Sequence, residues 1–118
     1  MQYAVLEAME QANDYPSVMA AEFQQRCNLI VDRLNAMPGV QCHRPKGAIY
    51  VFPKVDVPGM NSEDIAMELL RDGVLCSPGS AFGPSGEGHL RFAYTISQAD
   101  IARGMDKVEA TLKRLQQA

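Results

Sequence analysis

Apolar side chains recur every three or four positions between residues 17 and 37, which predicts a long helix with one buried face. Pro38 and Gly39 directly follow this segment and are expected to end the helix. The apolar face consists of Met19, Phe23, Cys27, Ile30, Val31 and Leu34.

The same spacing, together with capping residues, predicts two further helices. Asn61 or Ser62 can cap a helix that runs to Asp72, with Gly73 at its C-terminal end. Ser97 precedes the last helix and can cap it. The apolar stripe of that helix is Ile101, Met105, Val108, Leu112 and Leu115.

Short runs rich in β-forming residues predict the strands. Residues 40–44 and 48–53 are expected to form an antiparallel pair, with Gly47 in the connection. Both alternating faces of the second run are apolar, which favours a strand that is covered on both sides. Residues 74–77 and 89–94 predict two more strands.

The order helix, two strands, helix, two strands, helix predicts an α+β fold, an α/β sandwich with helices packed on one face of a small sheet. The sheet is expected to be mainly antiparallel, with three or four strands. Alternation in the last strand directs Leu90 and Phe92 to the core and Arg91 to the opposite face. Because a strand needs no guanidinium to fold, Arg91 is the first candidate for a functional residue.

Composition and charge narrow the classes of function. The chain has 118 residues, 47% hydrophobic and 21% charged, which suffices for one domain with a buried core. The net charge of -3 and the scattered lysines and arginines argue against binding to nucleic acid or to an anionic membrane. The first 16 residues lack the pattern of a signal peptide, and the longest apolar run, residues 48–52, is too short to span a bilayer.

The cysteines and histidines do not predict a disulfide framework or a metal site. Cys27, Cys42 and Cys76 are odd in number and widely spaced, which is typical of buried, reduced thiols in a cytoplasmic protein. His43 and His89 share no metal-ligand spacing with a carboxylate or thiol and are interpreted as residues of the sheet surface.

A glycine-rich segment, residues 73–88, precedes Arg91. It lacks the G-K-[ST] ending of a phosphate-binding loop and leads into a strand instead of a helix, so it is interpreted as a long turn. Ser80 lacks the G-x-S-x-G spacing of a nucleophile and is interpreted as a loop hydroxyl.

Two interpretations of Arg91 stay open from the residues alone. Most arginines lie at the surface, in solvent or in a salt bridge. A guanidinium that follows a glycine-rich loop can also bind a carboxylate through two parallel hydrogen bonds, because a ligand can approach the backbone there.

Two stretches carry a family resemblance: "HRPKGAIYVFPKV" (residues 43–55) and "DGVLCSPGSAFGPSGEGHLRFAY" (residues 72–94). With the terminal amphipathic helix they resemble the C-terminal small domain of fold type I, class I and II aminotransferases, the aspartate-aminotransferase-like enzymes that use pyridoxal phosphate. The resemblance covers essentially the whole chain. Its most specific motifs are P-x-G-A-x-Y in residues 45–50 and P-G-S-x-F-G with G-E-G-x-[LI]-R in residues 78–91.

The resemblance implies roles for particular residues. Arg91 would bind the α-carboxylate of the substrate, Gly47 and Ile49 would lie at the edge of the substrate pocket, and residues 78–83 would shape its entrance. Family members hold pyridoxal phosphate through a lysine of a large domain, and none of the four lysines here lies in such a stretch. The chain is therefore expected to contain no catalytic, cofactor-binding or metal-binding residue.

The resemblance implies that the chain is the small domain of an enzyme that transfers an amino group between an amino acid and a 2-oxo acid. In that enzyme the domain would bind the carboxylate of the substrate. The domain is expected to span residues 1–118, with residues 1–15 as a junction helix and linker, and to be inactive as an isolated fragment. The expected partners are the two substrates, the large domain of the same enzyme and a second copy in a homodimer. Two alternatives stay open: a stand-alone module that binds a small carboxylate, and an interaction domain without a ligand.

Overall fold

A computed structural model describes residues 1–11 and 14–118. In chain order the elements are α1 (Gln2–Glu10), α2 (Tyr15–Asn35), β1 (Val40–Gln41), β2 (Tyr50–Val51), β3 (Lys54–Val55), α3 (Ser62–Arg71), β4 (Ser77–Pro78), β5 (Leu90–Ala93) and α4 (Gln98–Gln116). Two short 3-10 turns, Gly79–Phe82 and Pro84–Gly86, connect β4 to β5. The predicted α+β class is confirmed.

The strands form two small antiparallel sheets that meet along β5. In the three-stranded sheet β5 is central, with β2 on one side and β4 on the other. The second sheet pairs β1 with β3. The two sheets are joined where the amide of Leu90 donates to the carbonyl of Pro53 and the amide of Val55 donates to the carbonyl of Gly88. Because β5 has a partner on both sides, the residues that it carries are held firmly in place.

Three helices supply one side of the hydrophobic core, and their ends follow local signals. The side chain of Asn61 accepts a hydrogen bond from the amide of Asp64 at the start of α3, and Ser97 accepts one from Asp100 at the start of α4. The predicted caps are therefore confirmed. The helical part of the core is Cys27, Ile30, Val31 and Leu34 of α2, Ile65, Ala66 and Leu69 of α3, and Ile101, Met105, Val108 and Leu112 of α4.

The predicted pairing of residues 40–44 with residues 48–53 is wrong. Val40 lies opposite Val55, and Tyr50 lies opposite Ala93 of β5. The apolar run divides at Pro53, which has no amide hydrogen for a sheet ladder, and the residues before and after it belong to different sheets.

Two further expectations about the strands are also corrected. In β2 only one face is covered, because Val51 is 1% exposed whereas Tyr50 and the following Phe52 are each 40% exposed. The predicted strand at residues 74–77 begins only at Ser77. Val74 instead belongs to the turn that follows α3, since its amide donates to the carbonyl of Leu69 in the last turn of that helix.

Helix α1 contributes no buried residue to the core. Its large apolar side chains are exposed, with Tyr3 at 88%, Met9 at 80%, and Val5 and Leu6 at about half. The predicted linker after this helix includes Ala12 and Asn13, which lie outside the described residues. In the described part of the chain no helix is both long and apolar enough to cross a bilayer.

We expect the 118-residue chain to self-associate through α1, because uncovered apolar surface on a short helix finds a partner. Light scattering should detect species above the monomer mass, and Leu6→Glu should shift the population toward monomer. Met67→Glu is a matched control, since Met67 is also about half exposed but lies on α3. A strictly monomeric chain at high concentration would contradict this expectation.

Candidate functional site

Strand β5 directs Arg91 away from the hydrophobic core, as the alternation of its residues predicts. Leu90 and Phe92 are 0% and 5% exposed, whereas Arg91 is half-buried on the opposite face of the sheet. Helix α4 contributes its buried residues to the core side. The guanidinium therefore lies neither in the core nor beneath the terminal helix.

Residues from three other segments surround the Arg91 guanidinium. Its Cζ atom lies 4.4 Å from the ring centroid of Tyr50 on β2 and 4.7 Å from that of Phe82 in the first 3-10 turn. One terminal nitrogen donates to the hydroxyl of Ser77 on β4, at 3.4 Å. Aromatic faces attract a cation and also shield it from water, so this cage orients the guanidinium without neutralising its charge.

Arg91 differs from every other arginine in its charge partners. Each of the other arginines has an acidic group within 4.0 Å; those residues are Arg26, Arg33, Arg44, Arg71, Arg103 and Arg114. Within residues 1–11 and 14–118, Arg91 has no carboxylate at that distance. A half-buried, unpaired guanidinium is well suited to bind an external carboxylate.

An aromatic face extends outward from Arg91 and consists of Tyr50, Phe52, Phe82 and His89. Phe52 stacks on the imidazole of His89 at a centroid distance of 4.9 Å and meets Phe82 edge to face at 6.0 Å. Tyr50, Phe52 and Phe82 stay 40–52% exposed. Apolar area of this kind around a charged residue is typical of a surface that another molecule or domain covers.

Two glycines allow the loop before Arg91 to fold tightly. A Cβ atom on Gly79 would overlap the carbonyl oxygen of Gly86 and would lie 2.6 Å from the carbonyl oxygen of His89. The reverse also holds, since a Cβ on Gly86 would overlap the carbonyl oxygen of Gly79. This close approach fixes the turn that presents Phe82 to Arg91.

Glu87 ties the same loop to the beginning of α3. Its carboxylate accepts hydrogen bonds from the amide of Ser62 at 2.8 Å and from the hydroxyl of Ser62 at 2.9 Å. The Ser62 hydroxyl also accepts a bond from the amide of Ser80 at 3.3 Å. The hydrogen bond from the Ser62 amide is the main cause that lowers the pKa of Glu87, and the bond from the Ser62 hydroxyl is the second. The carboxylate is therefore charged at neutral pH.

Gly47 and Ile49, the expected pocket-edge residues, precede Tyr50 in the chain. Gly47 is exposed, and apart from its chain neighbours no heavy atom lies within 4 Å of the position of a Cβ on it. Ile49 is half-buried, and its carbonyl accepts the amide of Tyr94 at 2.9 Å. The segment thus reaches the Arg91 surface through its neighbour Tyr50.

The remaining candidate groups do not form a reactive cluster. Burial raises the pKa of the Cys42 and Cys76 thiols to about 11, so both are protonated at neutral pH. Ser80 donates its hydroxyl to Glu63, which has the geometry of a loop hydroxyl. In the part of the chain that the structure describes, no group of three or more histidine, cysteine or acidic residues could hold a metal ion.

A second concave surface lies elsewhere, between the segment that follows α3, strand β5 and helix α4. This cleft of about 380 Å³ has a mainly apolar wall that includes Leu75 and Ile96. Arg103 at its rim already pairs with Asp100. Since Arg91 has no such partner among the described residues, the Arg91 surface is the stronger candidate for binding a carboxylate.

The alternation of residues in β5 predicts the direction of Arg91, but the sequence does not predict which side chains contact it. Tyr50 and Phe52 share the face of Arg91, and their alternation with the buried Val51 could have indicated this. The resemblance places Phe82 in residues 78–83 at the pocket entrance, but no local signal indicates that Phe82 or Ser77 contacts Arg91, because both contacts depend on how the glycine-rich loop folds.

Comparison with known proteins places the chain in a family. The family model for aminotransferase class I and II matches residues 1–108. An aspartate aminotransferase of Pyrococcus horikoshii is 37% identical over 96% of the chain, and an aromatic-amino-acid aminotransferase of Thermococcus litoralis is 35% identical over the same share.

The fold of this chain is similar to part of a solved structure. The alanine aminotransferase of Pyrococcus furiosus superposes with a TM-score of 0.91 and 31% sequence identity over 96% of this chain. The chain spans about 30% of the length of the curated relatives and 29% of the length of this structure.

Proposed function

Because the chain belongs to the aminotransferase class I and II family, we propose that it is the substrate-carboxylate-binding small domain of a longer pyridoxal-phosphate-dependent aminotransferase. The complete protein would transfer an amino group between an amino acid and a 2-oxo acid. Residues 1–118 would form this domain, with residues 1–15 as the junction helix and linker. The observation that carries the proposal is the unpaired guanidinium of Arg91 between Tyr50 and Phe82.

Arg91 would hold the α-carboxylate that amino acids and 2-oxo acids share. A planar guanidinium donates two parallel hydrogen bonds to a carboxylate, which fixes the orientation of the ligand as well as its affinity. Tyr50 and Phe82 would exclude water from this contact and so strengthen it. Gly47 and Ile49 would form the edge of the pocket, and residues 78–83 its entrance.

The residues of this chain do not fit pyridoxal phosphate itself. The cofactor requires a lysine for its Schiff base, and the four lysines here are all exposed on the surface. Lys107 and Lys113 belong to α4, on the opposite side of the sheet from Arg91. The cofactor would therefore be bound by the rest of the complete protein, and this chain would supply substrate recognition.

The exposed surfaces support a larger assembly. The aromatic face and the apolar side chains of α1 would be covered by the large domain of the same protein and by a second copy in a homodimer. The three free thiols, Cys27, Cys42 and Cys76, support a cytoplasmic location.

Calorimetry and an activity assay together test the proposal. Titration of the 118-residue chain with amino acids and 2-oxo acids should show no binding tighter than about 1 mM, because the chain holds only one part of the site. The complete protein should convert a 2-oxo acid to its amino acid when an amino donor is supplied. Micromolar binding by the chain alone would instead favour the stand-alone carboxylate module, for which the cage already formed around Arg91 is the supporting observation.

A further inference from the structure

Ala48 has an unusual backbone conformation. Among the described residues it is the non-glycine residue with a positive φ, at 62°. L-residues rarely adopt the left-handed region, because the Cβ atom crowds the backbone there. Such strain persists only where surrounding interactions impose it. Ala48 lies between Gly47 and Ile49, the two residues proposed to form the edge of the pocket.

Tyr94 supplies two of the interactions that hold this turn. Its amide donates to the carbonyl of Ile49 at 2.9 Å, and its hydroxyl donates to the carbonyl of Ala48 at 2.7 Å. Two consecutive peptide groups are therefore fixed by one residue. Because the carbonyl groups of Ala48 and Ile49 are both held in this way, the two peptide groups cannot rotate to relieve the strain at Ala48.

Tyr94 is in turn fixed by the core. It is 3% exposed, and its ring lies 6.2 Å from that of Phe23 on α2. Burial is the main cause that raises the pKa of the Tyr94 hydroxyl, and the neighbouring Cys27 is the second. The hydroxyl therefore remains a hydrogen-bond donor at neutral pH.

The position of Tyr94 in the chain connects this turn to Arg91. Tyr94 directly follows β5, three residues after Arg91, and its side chain points to the core side of the sheet. On the other side of the turn, Tyr50 follows Ile49 and contacts the Arg91 guanidinium. A rotation of the peptide groups at Ala48 and Ile49 would thus displace both the pocket edge and one wall of the arginine cage.

We infer that Tyr94 is a positioning residue that holds the strained turn at Ala48 and thereby fixes the pocket edge, Gly47 to Ile49, relative to Arg91. This inference rests on the proposed function. Tyr94 is buried, so it would act on the substrate only through the backbone of the turn. Its effect is expected on substrate affinity more than on the chemical step.

The test uses kinetics of the complete protein. Tyr94→Phe should raise KM for the amino acid about fivefold to tenfold and change kcat less than about twofold. The reason is that the variant would weaken binding of the substrate and of the transition state equally and leave the chemical step intact. Glycine adopts a positive φ without strain, so Ala48→Gly in the Tyr94→Phe background should return KM most of the way to the wild-type value. Arg103→Gln, at an exposed arginine of α4 that pairs with Asp100, is the control and should leave both constants unchanged.

A second variant keeps the test independent of the folding of Tyr94→Phe. Ala48→Val retains Tyr94 but places a β-branched residue at the positive φ, and it should also raise KM. An unchanged KM in either single variant, or a raised KM that glycine at position 48 does not restore, would overturn the inference. Arg91→Gln in the same assay separates the two hypotheses. If Arg91→Gln weakens substrate affinity and Tyr94→Phe does not, the positioning role of Tyr94 is wrong but the proposed function stands. If Arg91→Gln has no effect, the proposed function is wrong.

Discussion

Arg91→Gln in the complete protein is expected to lower kcat/KM for an amino acid about 100-fold. Loss of a charge-assisted pair in a shielded site costs about 3 kcal/mol, and each 1.4 kcal/mol corresponds to a factor of ten. The glutamine is polar but carries no charge and cannot donate two parallel bonds to a carboxylate. Steady-state kinetics with both an amino acid and a 2-oxo acid should show the loss, because the two substrates share the α-carboxylate.

Three comparisons make this expectation specific. Arg91→Lys should recover only part of the activity, because an ammonium group lacks the planar fork of a guanidinium. A primary amine that resembles the substrate but lacks the carboxylate should react equally with both forms. Arg103→Gln, at an exposed arginine of α4 paired with Asp100, is the control and should have little effect. Unchanged substrate affinity in Arg91→Gln would favour an interaction domain without a ligand.

Gly79→Ala is expected to have the largest effect on stability. The new Cβ would overlap the carbonyl oxygen of Gly86 and press on that of His89, and both are backbone atoms that cannot rotate away. The loop must open, which would also break the bond from the Gly79 amide to the carbonyl of His89, now at 2.7 Å. We expect a loss of about 3 kcal/mol in the free energy of unfolding, measured by urea denaturation of the 118-residue chain.

Gly104→Ala is the matched control for this substitution. Gly104 lies inside α4, and apart from its chain neighbours and the adjacent backbone of the helix no heavy atom lies within 4 Å of a Cβ placed on it. Alanine favours the helix, so this variant should be more stable than the wild type by about 0.5–1 kcal/mol. A Gly79→Ala chain that unfolds at the wild-type urea midpoint would show that the loop can accommodate a side chain.

The helices could be predicted because their signals lie within a few residues of each other. The spacing of buried residues in α2, the cap at Asn61 and the cap at Ser97 all depend on neighbours within one or two turns. Helix α2 begins two residues before the predicted segment, because Tyr15 and Pro16 form its first turn. Proline is tolerated there, since its missing amide hydrogen would have no partner in the first turn.

The strand partners could not be predicted, because pairing joins residues that are distant in the chain. Residues 40–44 and 48–53 were close in sequence and suited a hairpin, yet β1 pairs with β3 and β2 pairs with β5. Which strand lies beside which is decided by how the buried faces fit the helices. That fit involves the whole core and leaves no local pattern.

The sequence by itself determined the helices, the α+β class and the direction of Arg91, because the periods of helix and strand assign each residue to a face. Only the tertiary structure decided what surrounds that arginine. Ser77 is 14 positions away from it, and Tyr50 and Phe82 reach it from two further segments. Whether the charge of Arg91 is paired depends on the positions of all the acidic groups of the chain. Those positions are set only when the chain folds.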